Sequence, residues 1–325
     1  MLENIIVWKA CRITKNEKKL DFSKPLIVLA PLAGYTDLPF RSVVKKFGAD
    51  LTISEMISSN ALVYKSERTL KMIEKSPSED PYFVQIAGNS AQLVREAVEI
   101  LNDVEGIDGI DLNCGCPAPK VFSHGSGSNL LGDLKKLEEI LSTIKKYSKK
   151  EYTSAKVRLG VNEKIPVEIG KAVEACGVDF VSVHGRTRAG KYKAPVDYDA
   201  IKQMKEAISI PVIANGDIKD YKKAKEVLEY TKADGVMIGR GAIGKPWVFY
   251  QLKHELEDID NSIKKEIILE HYDKMLEFHG DYGAIIFRKL LHAYSKGYTG
   301  ANEFRDLVNQ ISDKNIMRDL IESFF

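Results

Sequence analysis

Along the first three quarters of the 325-residue chain, two kinds of apolar pattern alternate. Short β-rich runs recur at 27–32, 51–56, 82–87, 109–113, 154–159, 180–184, 211–215 and 235–238. Many are continuously apolar, the pattern of parallel strands covered on both faces. Between them lie stretches with a 3.6-residue period, such as Ala91-Gln-Leu-Val-Arg-Glu-Ala-Val-Glu-Ile-Leu101 and Asp220-Tyr-Lys-Lys-Ala-Lys-Glu-Val-Leu228. Asn89-Ser90 and Lys219-Asp220 stand where helix-capping side chains are wanted. The strand starts are spaced about 30 residues apart, the size of one βα unit. Eight such units predict an α/β fold, a (β/α)₈ TIM barrel. A doubly wound open sheet also alternates β with α, but no Gly-x-Gly-x-x-Gly follows the first strand.

Beyond residue 245 the strand runs stop. The segments 262–280, 282–297 and 301–311 predict helices with polar faces, and Gly280, Gly297 and Gly300 mark their ends. The expected organisation is an N-terminal extension (1–24), a barrel catalytic domain (25–245) and a small all-helical C-terminal domain (246–325). A hairpin across the barrel floor is one arrangement for the extension.

Composition narrows the classes. With 44% apolar and 29% charged residues the chain has a core and a solvated surface. No apolar run approaches the roughly 18 residues of a membrane span. The first residues lack the basic and apolar regions of a secretory signal, so a cytoplasmic protein with no membrane partner is expected. Four cysteines, Cys11, Cys114, Cys116 and Cys176, are too few for a disulfide scaffold. Net charge is +2, and the part from Lys245 onward carries 11 basic against 14 acidic residues, so bulk charge argues for no polyanion. Any anion site must be a local cluster. The sequence leaves oligomeric state open, with a monomer as the default.

A barrel works at the C-terminal ends of its strands. The residues there are Ala30-Pro-Leu-Ala-Gly-Tyr-Thr-Asp37, Gln85-Ile-Ala-Gly88, Asn113-Cys-Gly-Cys-Pro-Ala-Pro-Lys120, Lys156-Val-Arg158, His184-Gly-Arg-Thr-Arg188, Asn215-Gly-Asp217 and Gly239-Arg-Gly241. The last two fit a phosphate held by loops after strands seven and eight: glycine lets backbone N–H groups approach an anion, and Arg240 adds charge-assisted bonds. The alternative is that these glycines merely turn the chain. Lys156, inside an apolar strand, needs a partner or a task. It suits a Schiff base, a donor to the electron-rich edge of a flavin, or a lysine snorkelling from a strand end. His184 suits a second donor there or a structural histidine. Cys114 and Cys116 lack the second pair a zinc site wants, so no metal is expected. A thiol in a Gly- and Pro-rich loop at the mouth suits a general acid, protonated at neutral pH. Cys116 lies farther out, before a proline, whereas Cys114 suits packing below.

Together these residues resemble the tRNA-dihydrouridine synthase family, and its bacterial B-type members most. The resemblance rests on Ala30–Asp37, Asp111-Leu-Asn-Cys-Gly-Cys-Pro117 with Lys120-Val121, Val183-His-Gly-Arg-Thr-Arg188 with Tyr192, Asn215-Gly-Asp217 and Gly239-Arg-Gly-Ala242, in the family's order. Phe287-Arg-Lys-Leu-Leu-His-Ala-Tyr-Ser-Lys-Gly-Tyr-Thr-Gly300 resembles the helical tail of B-type members. The resemblance implies an enzyme that uses FMN and NADPH to reduce the C5–C6 double bond of uridine in tRNA. It implies that Pro31, Leu32 and Ala33 line the flavin, and that Gln85 and Lys156 bond its edge with His184 nearby. Asn215, Gly216, Asp217, Gly239 and Arg240 would hold its phosphate. Asn113 would contact the target base and Cys116 would be the proton donor. Arg186, Arg188 and Tyr192 would lie at the RNA entrance, with Arg288, Lys289 and Lys296 as phosphate contacts on the helical wall. Leu32 replaces a methionine common in the family. Cys114 replaces a non-cysteine residue, so two thiols compete for the acid role, and the Gly-Cys-Pro context favours Cys116. The rival readings are an FMN barrel oxidoreductase acting on a free pyrimidine, a lysine aldolase, and a non-catalytic RNA-binding chaperone.

Overall fold

The computed structural model describes residues 20–325. Most of the expected N-terminal extension, with Cys11, lies outside the described residues.

Among the described residues, nine strands form one parallel sheet: β1 (Leu26–Leu29), β2 (Thr52–Ile53), β3 (Ile57–Ser58), β4 (Tyr82–Ala87), β5 (Gly109–Cys114), β6 (Tyr152–Arg158), β7 (Phe180–His184), β8 (Val212–Asn215) and β9 (Gly235–Ile238). β2 and β3 share the second position of the barrel, both pairing with β4. β1 pairs with β9 on one side and meets Leu51 through a Val28–Leu51 bridge on the other, so the eight positions nearly close a (β/α)₈ barrel. The continuous apolar runs are explained by burial on both faces. Val28, Ile53, Phe83, Phe180, Ile213 and Met237 fill the lower interior. Ile110, Leu112, Val157 and Val183 point outward into the layer beneath the helices.

On the inward face of the later strands, side chains change from apolar to polar toward the C-terminal rim. Asn113 is level with Lys156, Lys156 with Ser182, Arg158 with His184, and His184 with Asn215. Parallel register alone sets these four strands' polar ends side by side. The helix caps follow the sequence: Ser90 accepts from Leu93 N, and Asp220 accepts from Lys223 N.

The structure corrects several boundaries. β1 ends at Leu29, although Ala30 N still donates to Ile238 O, because Pro31 has no N–H to continue the ladder. The run expected over 51–56 is broken between Ile53 and Ile57. After β9, helices Asn261–His279, Tyr282–Tyr294 and Ala301–Gln310 appear as expected. Val248–His254 and Lys314–Phe324 are additional helices. The last is capped by Asp313, whose side chain accepts from Asn315 N and Ile316 N, and it buries Met317 and Ile321. The tail's core includes Ile267, Tyr272, Phe287, Leu291 and Val308, and joins Val43 of the helix Leu38–Lys46 and Phe47 at its C-cap. The helical tail is thereby seated beside the loop after β1.

Candidate active site

A cavity of about 1700 Å³ opens at the C-terminal rim of the strands and runs toward the helical tail. Single-ligand pockets span roughly 300–1,000 Å³, so this space exceeds what one small molecule needs. Pro31, Leu32, Ala33, Gln85, Asn113, Cys116, Lys156, His184, Asn215, Gly216, Asp217, Gly239 and Arg240 all line it. Residues from seven different strand ends thus converge on one space.

Lys156 projects from β6 and donates from Nζ to Asn215 Oδ1 at 3.2 Å, while Asn215 Nδ2 donates to Met237 O at 2.6 Å. Burial first, and then the neighbouring Arg158 charge, lower the Lys156 ammonium to about 8. His184 is held far below its ordinary value, first by burial and then by the charges of Lys156, Arg158, Arg186 and Arg240. Its Nε2 lies 3.3 Å from Arg186 Nη1. Arginine can only donate, so this nitrogen accepts and the proton of the neutral ring is on Nδ1.

The two thiols are separated by place. Cys114 is fully buried, and its thiol is raised well above the ordinary value by burial. Cys116 is half-buried and lines the cavity. Its loop is fixed by Asn113 Oδ1, which accepts from Gly115 N at 3.2 Å and Cys116 N at 2.9 Å. Ser128 Oγ donates to Cys116 O at 2.8 Å.

A dihydrouridine synthase profile matches residues 28–324. The chain is 54% identical to a probable tRNA-dihydrouridine synthase of Helicobacter pylori over 308 residues, 94% of each chain. It is 40% identical to tRNA-dihydrouridine synthase B of Vibrio parahaemolyticus, covering 92% of this chain and 95% of that one. The chain belongs to the dihydrouridine synthase family. Among solved structures, TcOYE with pHBA superposes with a TM-score of 0.52 at 11% identity, over 79% of this chain and 94% of that one. Histamine dehydrogenase from Rhizobium sp. 4-9 gives 0.52 at 13% identity, over 76% and 48%. At such identities these two attest the barrel alone.

The rim after β8 and β9 has the donor set of an anion site. Gly216 has φ +137°, and a Cβ there would come within 2.9 Å of both methyl carbons of Val196. A Cβ on Gly239 would enter the mouth 3.4 Å from Ala30 Cβ. The turn Arg240–Ala242 begins with N–H groups that have no partner within the turn. Asp217 stands on the same rim. Its carboxylate is itself an ion-pair partner, taking Arg186 Nη1 at 3.1 Å, Arg186 Nη2 at 2.6 Å and Arg240 Nη2 at 3.0 Å. Only its backbone N–H is suited to an anion.

The expected RNA contacts divide. Tyr192 is 46% exposed and lines the cavity, its ring 4.4 Å from the Arg240 guanidinium and 5.3 Å from that of Arg158. Arg186 is instead 4% exposed, its fork consumed by Asp217, His184 and Ala194 O. Arg188 stacks on Phe122, 3.5 Å from the ring centre. On the tail, Lys296 lines the cavity. Arg288 Nη2 donates to Ile311 O at 2.8 Å. Lys289 Nζ donates to Gly34 O at 2.5 Å and lies over Tyr35, so it ties the tail to the loop after β1.

Three residues without an assigned role emerge. Arg158, 2% exposed, donates to Gly115 O at 2.7 Å and to Thr187 O and Lys191 O at 3.0 Å, clasping the Cys116 loop to the Tyr192 loop. Asp111 and Ser154 lie beneath the mouth, both fully buried. A carboxylate inside an apolar strand was the available signal for Asp111. Among the described residues, no group of three or more His, Cys, Asp and Glu is placed to hold a metal, and no helix is long and apolar enough to cross a membrane.

Proposed function

We propose that this protein reduces the C5–C6 double bond of uridine in tRNA to 5,6-dihydrouridine, with FMN as its flavin and NADPH as reductant. The observation that carries this reading is that Cys116 and Lys156 face one cavity with the Gly- and Arg-bearing loops of β8 and β9 on its rim. When bound, FMN supplies the hydride for one carbon of the uracil double bond, after reduction by NADPH. The chain's own residues do the rest. Asn215, Gly216, Gly239 and Arg240 hold the flavin phosphate, with Asp217 orienting Arg240. Pro31, Leu32 and Ala33 form the wall against the ring. Gln85 and Lys156 donate to its edge, where the Lys156 ammonium favours negative charge. The Cys116 thiol gives its proton to the second carbon of the double bond, and Lys156 stabilises the thiolate left behind.

The target base must leave its stack to enter a barrel mouth. Lys219, Lys222, Lys245 and Lys296, exposed on the cavity's open side, suit the phosphates that flank it. The site of action is the cytoplasm, where tRNA and NADPH are available together. Position-resolved mapping of dihydrouridine in tRNA, with and without the gene, tests this reading. Loss of the modification at particular uridines is expected, along with a yellow protein bleached by NADPH. An unchanged dihydrouridine map, in a cell with no second such enzyme, would overturn it.

A further inference from the structure

Beneath the mouth runs a chain of hydrogen bonds that ends at a buried carboxylate. Gly115 N and Cys116 N donate to Asn113 Oδ1 at 3.2 and 2.9 Å. Asn113 Nδ2 donates to Gln85 Oε1 at 2.7 Å, and Gln85 Nε2 to Asp111 Oδ2 at 2.7 Å. Ser154 Oγ donates to the other oxygen of Asp111 at 2.6 Å. Asp111 and Gln85 are fully buried and Asn113 is 8% exposed, so no bulk water competes for these bonds.

The direction of every bond is determined by the two ends. Backbone N–H groups can only donate, and an ionised carboxylate can only accept. Between them each amide has one permitted orientation. Asn113 must turn its oxygen to the Cys116 loop and Gln85 must turn its oxygen to Asn113. Both amide oxygens are then consumed inside the chain. Each amide nitrogen keeps one hydrogen, and both residues line the cavity. The Gln85 hydrogen serves the flavin edge, so within this wall Asn113 offers the base a donor.

We propose that Asp111 is a positioning residue that sets this wall to donate, so that the site accepts the 4-carbonyl of uracil and refuses the 4-amino group of cytosine. The inference rests on the reading that the target is a uracil base. Uracil presents an acceptor at that position and cytosine a donor. An apolar residue at position 111 would fill the same space but release the Gln85 amide to rotate, and Asn113 and the Cys116 loop would lose their single arrangement. The charge cost of placing a carboxylate there is visible, since burial raises Asp111 to about 6. Ser154, Gln85 and the nearby Lys156 ammonium oppose that rise.

The test compares Asp111→Val and Asp111→Asn with the unaltered protein, each first shown to be folded by circular dichroism. Binding of ten-residue oligouridylate and oligocytidylate measures base preference. The alkylation rate of Cys116 by iodoacetamide, followed by peptide mass, reports loop placement without any dependence on turnover. Asp111→Val should reduce the uridylate preference by about tenfold and change Cys116 alkylation severalfold. Uridine reduction by the pre-reduced enzyme should fall by about 10- to 100-fold. Asp111→Asn should recover most of each loss, because its amide oxygen still accepts from Gln85 while its nitrogen donates to Ser154. Asn113→Asp provides a second route. It keeps the acceptor for Cys116 N but removes the hydrogens that reach Gln85 and the base, so the uridylate preference should disappear.

Unaltered base preference and alkylation in Asp111→Val would overturn the proposal. So would equal impairment in Asp111→Asn, which would assign the effect to charge rather than hydrogen-bond direction. If Asp111→Val does not fold, a retained uridylate preference in Asn113→Asp overturns it instead. Normal base preference and alkylation responses, in a protein that makes no dihydrouridine, would reject the proposed reaction and leave the role of Asp111 standing.

Discussion

Replacing Arg186 by alanine separates a structural tie from an RNA contact. The guanidinium is 4% exposed and gives Asp217 two charge-assisted bonds, at 3.1 and 2.6 Å. It also bonds His184 Nε2 and Ala194 O. Breaking a fully buried pair costs about 3–5 kcal/mol, largely because one charge is left without a partner. Asp217 is 37% exposed and retains Arg240 at 3.0 Å, so that figure must be discounted. The expected loss is about 2–3 kcal/mol, with Ala194 O and His184 Nε2 left unpaired contributing part of it. At roughly 2–4 °C per kcal/mol for a domain of this size, the midpoint of thermal unfolding should fall by about 4 to 12 °C. Urea unfolding and calorimetry measure this. Arg186→Lys should restore less than half, since an ammonium cannot reproduce the two-pronged geometry. RNA affinity measured against salt supplies the complementary readout. A lost phosphate contact would reduce the slope of log K against log salt by about 0.7–0.9, whereas loss of a buried tie leaves the slope unchanged. A stability change below about 0.5 kcal/mol, the range of ordinary surface substitutions, with a shallower salt slope would refute this placement of Arg186.

Three further outcomes follow from the site. Cys116→Ala should retain flavin and bind RNA while turnover on uridine falls at least a hundredfold, within the range of a lost general acid. Cys114→Ala should lose about 1 kcal/mol of stability, from the cavity left by a buried sulfur, and keep its activity; single-turnover assays and urea unfolding check both. In the flavin-free protein, the Lys156 amine should acylate with a pH midpoint of about 8, because its charge is present below that value and lost above it. Between there and the ordinary lysine value the unfolded chain binds the extra proton, so the Lys156 contribution to stability rises with pH. A midpoint near that of exposed lysines, read by peptide mass after acetic anhydride treatment, would place the amine in solvent instead.

Periodicity along the chain was enough to determine the barrel and the helical tail, because strand and helix patterns are local and each βα unit carries its own. Rim chemistry was legible for a similar reason: strand ends are readable, and a barrel puts its site there. The sequence also marked Lys156 and the two cysteines as unusual. It favoured Cys116 over Cys114 from the Gly-Cys-Pro context alone; which side of the β5 end each thiol faces is set by the fold. It could not show that Arg186 and Asp217 neutralise one another across 31 positions, or that Lys289 reaches back 255 positions to Gly34. The Asp111 chain joins strands 26 and 43 residues apart. Such pairings exist only once parallel register and barrel closure have set the strand ends level. Burial then turns nearby polar groups into obligatory partners, and that step belongs to the tertiary structure alone.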